Sequence, residues 1–197
     1  MADVASGGFV ANDGLGDSLT IDSERRFNPL ASAPNLTDCC FLIQPKLAFT
    51  QAKSAAAFLE KSGMSGVAIH AIHEHAVMKH LDEAISQQLL QYDVRLQEEN
   101  EANAAELKRW HGQPVTSGMQ LMLLHVSSGR YLTQLRYRST VSALSFRVGL
   151  HELGSKASRW KFESTGKAAG ERLYFGMQLR IENCKFANSF LSVSKAL

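Results

Sequence analysis

Several features that would reveal a function at once are missing from this chain. Its three cysteines are too few for a disulfide framework, and two of them, Cys39 and Cys40, are neighbours. That usage suits a reducing compartment. No apolar run approaches the ~20 residues of a membrane helix, and the N-terminus has neither the basic start nor the apolar stretch of a secretory signal. Asn35-Leu36-Thr37, formally a glycosylation sequon, is therefore expected to stay unmodified. Neither sign of charge dominates the whole chain. A net charge of +2 over 197 residues argues against a polybasic surface for nucleic acid.

Catalytic constellations are lacking too. His73-Glu74-His75 begins like a zinc-protease helix, but Val77 stands where the second histidine ligand belongs. His70, His73 and His80 fall at helical spacing, yet no cysteine or carboxylate set completes a metal site around them. Ser164-Thr165-Gly166-Lys167 imitates a phosphate loop, but Ala168 replaces the magnesium-binding hydroxyl and Lys161 replaces the first glycine. The expectation is no enzyme, no metal and no cofactor. Cys39 and Cys40, if on one strand, point to opposite faces. One is then core, and Cys39 stays open as a redox sensor.

What the chain does have is a repeat. Gly118-Met119-Gln120-Leu121 recurs unchanged as Gly176-Met177-Gln178-Leu179. The first copy continues to Ser128-Gly129-Arg130-Tyr131-Leu132-Thr133, the second to Asn188-Ser189-Phe190-Leu191-Ser192-Val193. The offset is 58 residues at the glycines and 59 at the aromatics, so one insertion separates them. A period of this size marks a supersecondary unit used more than once. Leu121, Leu123, Val126 and Tyr131-Leu132-Thr133 are β-formers around a Ser127-Ser128-Gly129 turn. Leu144 to Leu150 then alternates with period two, and Trp160-Lys161-Phe162 closes the unit after another turn. A partial earlier copy runs from Gly8-Phe9-Val10-Ala11 through Leu19-Thr20-Ile21 to Cys39-Cys40-Phe41-Leu42-Ile43.

Three copies of a four-stranded unit imply a β-trefoil, incomplete at both ends, as though cut from a larger protein. Its expected core is Phe41, Leu121, Leu123, Tyr131, Leu132, Phe146, Trp160, Leu179, Phe190 and Leu191. Leu121 and Leu179 should be equivalent inward positions, as should Leu132 and Leu191.

The segment from 44 to 114 differs in kind. It is rich in the helix formers Ala, Glu, Gln, Leu and Lys. Lys46 to Lys61 reads as one helix, stopped by Gly63-Met64-Ser65-Gly66. A second helix begins near Val67 with the stripe Val77, Leu81, Ala84, Ile85, Leu89, Tyr92 and Leu96. Beyond Leu96, Glu98-Glu99-Asn100-Glu101 is almost wholly polar, which predicts a solvated or frayed far end. The organisation is a first partial unit over 1–43, a helical insertion over 44–114, and a second unit with a partial third over 115–197.

These residues resemble a known family. Leu123-Leu124-His125 followed by Ser128 and Tyr131-Leu132-Thr133 is similar to a step in the N-terminal domain of inositol trisphosphate receptors. Leu144 to Glu152, closed by Trp160, is similar to the matching stretch of ryanodine receptors. Asp38-Cys39-Cys40-Phe41-Leu42-Ile43, followed by a helical insert and the Gly118 strand, resembles the order in both. The resemblance implies a mainly β trefoil with a helix-turn-helix arm, acting as a regulatory, non-enzymatic domain of an intracellular calcium-release channel. It would lower ligand affinity and relay binding to the pore through neighbouring domains and subunits of a homotetramer. It would sit on the cytosolic face of an endoplasmic-reticulum-like membrane, with no membrane contact of its own.

In that family inositol trisphosphate is gripped by basic residues of downstream domains, so no ligand-binding residue is expected here. Arg130, Arg136 and Arg138 read as solvated hairpin residues. Family members use a longer, aromatic-bearing loop after the closing tryptophan to touch the adjacent subunit. The counterpart here is Glu163 to Glu171, with Ser164, Thr165, Gly166 and Lys167 as the candidate inter-subunit residues and no aromatic. A plain connector is the other reading of that loop. The alternative function is a stand-alone trefoil binding sugars or proteins, which the helical insert disfavours.

Overall fold

Period-two alternation builds one part of this molecule and helical periodicity the other. The computed structural model describes residues 9–11, 19–22, 36–64, 67, 71–72, 82–139 and 143–192. It divides into one unit of Met1–Lys46 with Gly112–Leu197 and another of Leu47–His111. His70, His73, His75, Val77, His80 and Leu81 lie outside the described residues.

The first unit contains β1 (Phe9–Ala11), β2 (Thr20–Asp22), the short helix α1 (Leu36–Cys39) and β3 (Phe41–Gln44). The second unit follows with α2 (Thr50–Lys61) and α3 (Glu83–Trp110). The first then resumes with β4 (Gln120–His125), β5 (Arg130–Arg138) and β6 (Phe146–His151). A single 3-10 turn, Lys156–Ser158, precedes β7 (Arg159–Ser164), and β8 (Leu179–Asn183) is the last strand described.

Strands β1 and β2 pair as a small ladder, while the other six form one antiparallel sheet in the order β6-β5-β4-β7-β8, with β3 also on β4. Met122 pairs with both Gln44 and Arg159, and Leu124 with both Leu42 and Tyr131. Strands β5 and β7 must therefore share, end to end, the edge of β4 that β3 leaves free. With three partners, β4 is the most enclosed strand. Its Leu121, Met122 and Leu123 are buried, and the core gathers there with Leu132, Leu150, Trp160 and Phe162.

Trp160 is wholly buried, and its indole N–H donates to the Leu132 carbonyl at 2.9 Å. The ring is thus both packed and satisfied, as a buried tryptophan requires. Several other buried polar groups are also paired, whereas Arg159 Nε is buried without a hydrogen-bond partner. The Tyr131 hydroxyl donates to Gln44 Oε1 at 3.1 Å, tying β5 to β3, and burial pushes the phenol pKa upward. Thr133 and Ser158 share a hydroxyl hydrogen bond of 2.7 Å, and Asn183 Nδ2 donates to the Ala157 carbonyl at 2.9 Å.

Three expected core residues lie elsewhere. Leu179 is 38% exposed, because β8 has a full ladder only with β7 and Leu179 sits at its end opposite Ser164. Phe146 lies past the register shift between Gln134 and Arg138, and it stacks on Phe186 rather than joining the core cluster. Phe190 is half-buried beneath the Arg180 guanidinium, outside that cluster. Phe41 and Leu191 pack against the core without being fully enclosed.

The helical unit corrects the starts of both helices and shows the polar stretch solvated, not frayed. The first helix starts at Thr50, not Lys46, because the Ala48 backbone is already engaged by Asn103: its N–H donates to Oδ1 and its carbonyl accepts from Nδ2. The long helix starts at Glu83, where Asp82 caps it by accepting from the Ala84 N–H at 2.8 Å. The polar stretch is not frayed, since α3 continues through it to Trp110, about 42 Å at 1.5 Å per residue. Helix α2 has no side-chain cap of its own. Instead the Glu99 carboxylate accepts from the backbone N–H groups of Thr50, Gln51 and Ala52 at 2.7, 3.0 and 3.1 Å. Those are three of the four donors a helix start leaves orphaned. The helices run antiparallel, with Phe58 and Tyr92 in ring contact at 5.3 Å, and they bury Ala52, Ala55 and Leu59 from one side and Leu89 and Leu96 from the other.

Candidate interaction surface

The repeated tetrapeptide makes the same turn twice. Gly118 and Gly176 have φ values of 86° and 84°, in the left-handed region that glycine enters freely. Each turn closes with the same bond: Met119 N–H to the Thr116 carbonyl at 3.2 Å, and Met177 N–H to the Tyr174 carbonyl at 3.3 Å. The surroundings of the two turns differ. Ser117 donates to the Glu171 carbonyl and accepts from Gly170 N–H, while Leu173 N–H donates to Val115, so the β7–β8 connection covers the first turn. Among the described residues nothing comparable covers the second, and Tyr174 and Phe175 stand exposed.

This changes the reading of the connection itself. The next strand begins only at Leu179. The loop extends to Gln178 and carries two exposed aromatics immediately after the Glu163–Glu171 stretch. Within it, Lys167 N–H bonds the Ser164 carbonyl and the Lys167 ammonium lies 3.0 Å from Glu171. The Ala168 N–H, then Lys167, hold the Glu171 carboxyl below its usual pKa. Ser164 to Lys167 is therefore a closed turn rather than a phosphate cradle, with Gly166 at φ 88°.

The hairpin arginines do not converge. Arg130 lies 3.1 Å from Glu152 at one end of β5, while Arg136 and Arg138 lie towards the other end. Across β7 and β8, Lys161 bridges Glu163 at 2.6 Å and Glu182 at 3.0 Å. Those bonds, Glu163 first, push the Lys161 pKa up to about 12. Glu182 is held below the usual carboxylate range by the Asn188 N–H and then by Lys161.

His125 is buried between Asp38 and Ser128. Its Nε2 lies 3.0 Å from the Asp38 carbonyl, to which it must donate, and its Nδ1 meets the Ser128 hydroxyl at 2.9 Å. This histidine fastens α1 to the β4–β5 turn. Cys39 is buried at the end of α1 and Cys40 is exposed, so the pair diverges at a helix–strand junction and not along a strand. Among the described residues no three His, Cys, Asp or Glu side chains gather as metal ligands.

The six-stranded antiparallel sheet and the helix pair define a mainly β domain with a helical insertion. The chain belongs to the inositol 1,4,5-trisphosphate/ryanodine receptor family, whose model matches residues 1–196. That is a family of channel receptor domains and not of enzymes. Comparison with curated proteins finds no match. No helix among the described residues is long and apolar enough to cross a membrane.

Proposed function

We propose that this chain is the regulatory N-terminal domain of an inositol trisphosphate-gated calcium-release channel, a homotetramer in an internal, endoplasmic-reticulum-like membrane. It lowers ligand affinity and relays binding to the pore through contacts with neighbouring domains and subunits, while downstream domains hold the ligand. The family match over residues 1–196 carries this reading. The resemblance of the Tyr131-Leu132-Thr133 step leans to the inositol trisphosphate branch over the ryanodine branch.

The finer fold in this reading is a β-trefoil. The twice-used glycine turn supports repeated units, while the burial of Leu121 against the exposure of Leu179 counts against equivalent copies. The subunit contact centres on Ser164, Thr165, Gly166 and Lys167 with Tyr174 and Phe175 beside them, since exposed aromatics supply the anchors that interfaces favour.

The test compares the full channel with one lacking this domain, measuring inositol trisphosphate binding and calcium flux from internal stores. Tighter binding with lost ligand-evoked flux is expected, because the domain couples the two sites. Unchanged affinity and flux would overturn the reading. A Tyr174→Ser, Phe175→Ser channel should keep its ligand affinity within about twofold and lose part of its flux, as expected of an interface anchor.

A further inference from the structure

At the outer end of the β5–β6 hairpin, Arg136, Arg138 and Arg147 are exposed and have no carboxylate partner among the described residues. Residues 112–197 hold twelve lysines and arginines against four carboxylates. All four carboxylates are engaged elsewhere: Glu152 with Arg130, Glu163 and Glu182 with Lys161, and Glu171 with Lys167. Two of the three arginines precede a hydroxyl. Arg136-Tyr137-Arg138-Ser139 sets one arginine three residues before a serine and another directly before it.

Arginine at those places is a charge pattern by which protein kinases select a serine, because carboxylates in the kinase cleft bind guanidinium groups bidentately. Along this chain an arginine stands three residues before a hydroxyl at one other place, Arg130 and Thr133. There the hydroxyl is buried and bonded to Ser158 at 2.7 Å. Ser139 is partly exposed and directly follows the last residue of β5. The backbone before it is already extended, and its ladder with β6 is interrupted: pairing stops at Gln134–Val148 and resumes at Arg138–Phe146. The Ser139 N–H then closes the hairpin end on the Ser145 carbonyl at 2.8 Å. So interrupted a ladder opens locally at small cost, as entry into a kinase cleft requires. Arg138 is stacked 4.2 Å over Phe146, whereas Arg136 makes no ring contact among the described residues.

We propose that Ser139 is a phosphorylation site for an arginine-directed serine/threonine kinase, with Arg136 as the main recognition residue. The Ser139 Oγ attacks the γ-phosphorus of ATP. An O–P bond forms as the bond to the ADP oxygen breaks, and the hydroxyl proton passes to the kinase's catalytic carboxylate. The products are phosphoserine and ADP. The modification adds a charge of about −1.5 to −2.

Alternation along the strands decides what that charge meets. Arg138 lies on one face with Phe146, opposite it in the ladder. Ser139 lies on the other face with Ser145 opposite it, and with Arg147 two residues further along β6. A diagonal cross-strand neighbour is within reach of a side chain as long as arginine. Phosphate on Ser139 therefore gains the Arg147 guanidinium as its partner and fastens the hairpin end. The inference concerns the chain itself and does not rest on the channel reading.

The test incubates the folded 197-residue chain with magnesium ATP and a constitutively active kinase domain that selects arginine three residues before serine, and maps phosphate by mass spectrometry. Ser139 should take up close to one phosphate per chain. Its kcat/KM should lie within about tenfold of that for a synthetic peptide of residues 130–146, since little structure has to open. Arg136→Gln should lower kcat/KM at least about tenfold, and Arg138→Gln less than about threefold, because the first removes a charge-assisted contact and the second a residue engaged by Phe146. Ser139→Ala should abolish the incorporation. Phosphorus NMR of the modified chain then reads the second phosphate ionisation, which Arg147 should hold below its ordinary value of about 6 and Arg147→Gln should return towards it. Phosphate on other residues with Ser139 bare would overturn the site, and so would a peptide that is modified while the folded chain is not. An Arg147→Gln titration identical to the parent's would overturn the pairing.

Discussion

The two copies of Gly-Met-Gln-Leu share a turn and differ in almost everything around it. Backbone angle and closing hydrogen bond agree between Gly118 and Gly176. Three residues on, Leu121 is 2% exposed and Leu179 is 38%. Strand β4 is flanked by β3, β5 and β7, whereas β8 pairs along its length only with β7 and touches Phe190 through a single bridge. The lesson is that four residues can specify a turn, but burial is conferred by neighbours distant in sequence.

The largest effect belongs to the strand that joins the two copies. Trp160 pairs with Leu121 on one side and with Asn183 on the other. Trp160→Ala should cost ~3–5 kcal/mol through its cavity, read as a lower urea midpoint. Near-wild-type stability would show that β7 is not the shared support. Next comes the comparison itself. Leu121→Ala should cost ~2–5 kcal/mol, and Leu179→Ala under ~1 kcal/mol. Equal losses would erase the distinction between the copies.

The backbone should show the opposite pattern. Gly118→Ala and Gly176→Ala should each cost ~1–2 kcal/mol, because an L-residue is strained at these angles. An added Cβ at Gly118 would meet Ala169 Cβ at an ordinary 3.6 Å, and at Gly176 nothing within 4 Å. The two penalties should therefore agree to within ~0.5 kcal/mol, and a clear inequality would mean the turns are not equivalent.

The smallest effect is electrostatic. The Glu182 pKa is lowered in the folded protein, so its stabilisation is present above its unfolded pKa of ~4.3 and is lost as pH falls through the folded value. Glu182→Gln should flatten the acid limb of a stability–pH curve by less than ~1 kcal/mol, as befits a partly exposed pair. An unchanged acid limb would remove the Asn188 and Lys161 contacts from the account. Lys161, raised to about 12, keeps its stabilisation below its unfolded pKa of ~10.4 and loses it only as pH climbs towards 12.

Much of the β unit was legible because alternation is local. Leu121, Leu123, Leu132, Leu150, Trp160 and Phe162 form the core cluster on strands that period-two reading locates. Phe146 was misplaced because a register shift between Gln134 and Arg138 leaves no trace in hydrophobic pattern. Leu179 was misplaced because strand partners are not written in the strand. Glu98-Glu99-Asn100-Glu101 looked like solvent-facing polarity because capping was sought among adjacent residues. Its acceptor for α2 is 49 positions away from Thr50.

That distance sets an order of events during synthesis. Thr50, Gln51 and Ala52 leave the ribosome long before Glu99 does, so the start of α2 has no carboxylate to meet until α3 is half made. A 12-residue helix is marginal in water by itself. The chain therefore emerges through this region without a settled α2, and β3 likewise waits for β4 across the whole helical unit. At ~5–20 residues per second, those 49 positions take several seconds. During that interval Leu59 and the Ala52–Ala55 face lack the Leu89 and Leu96 side of the helix pair.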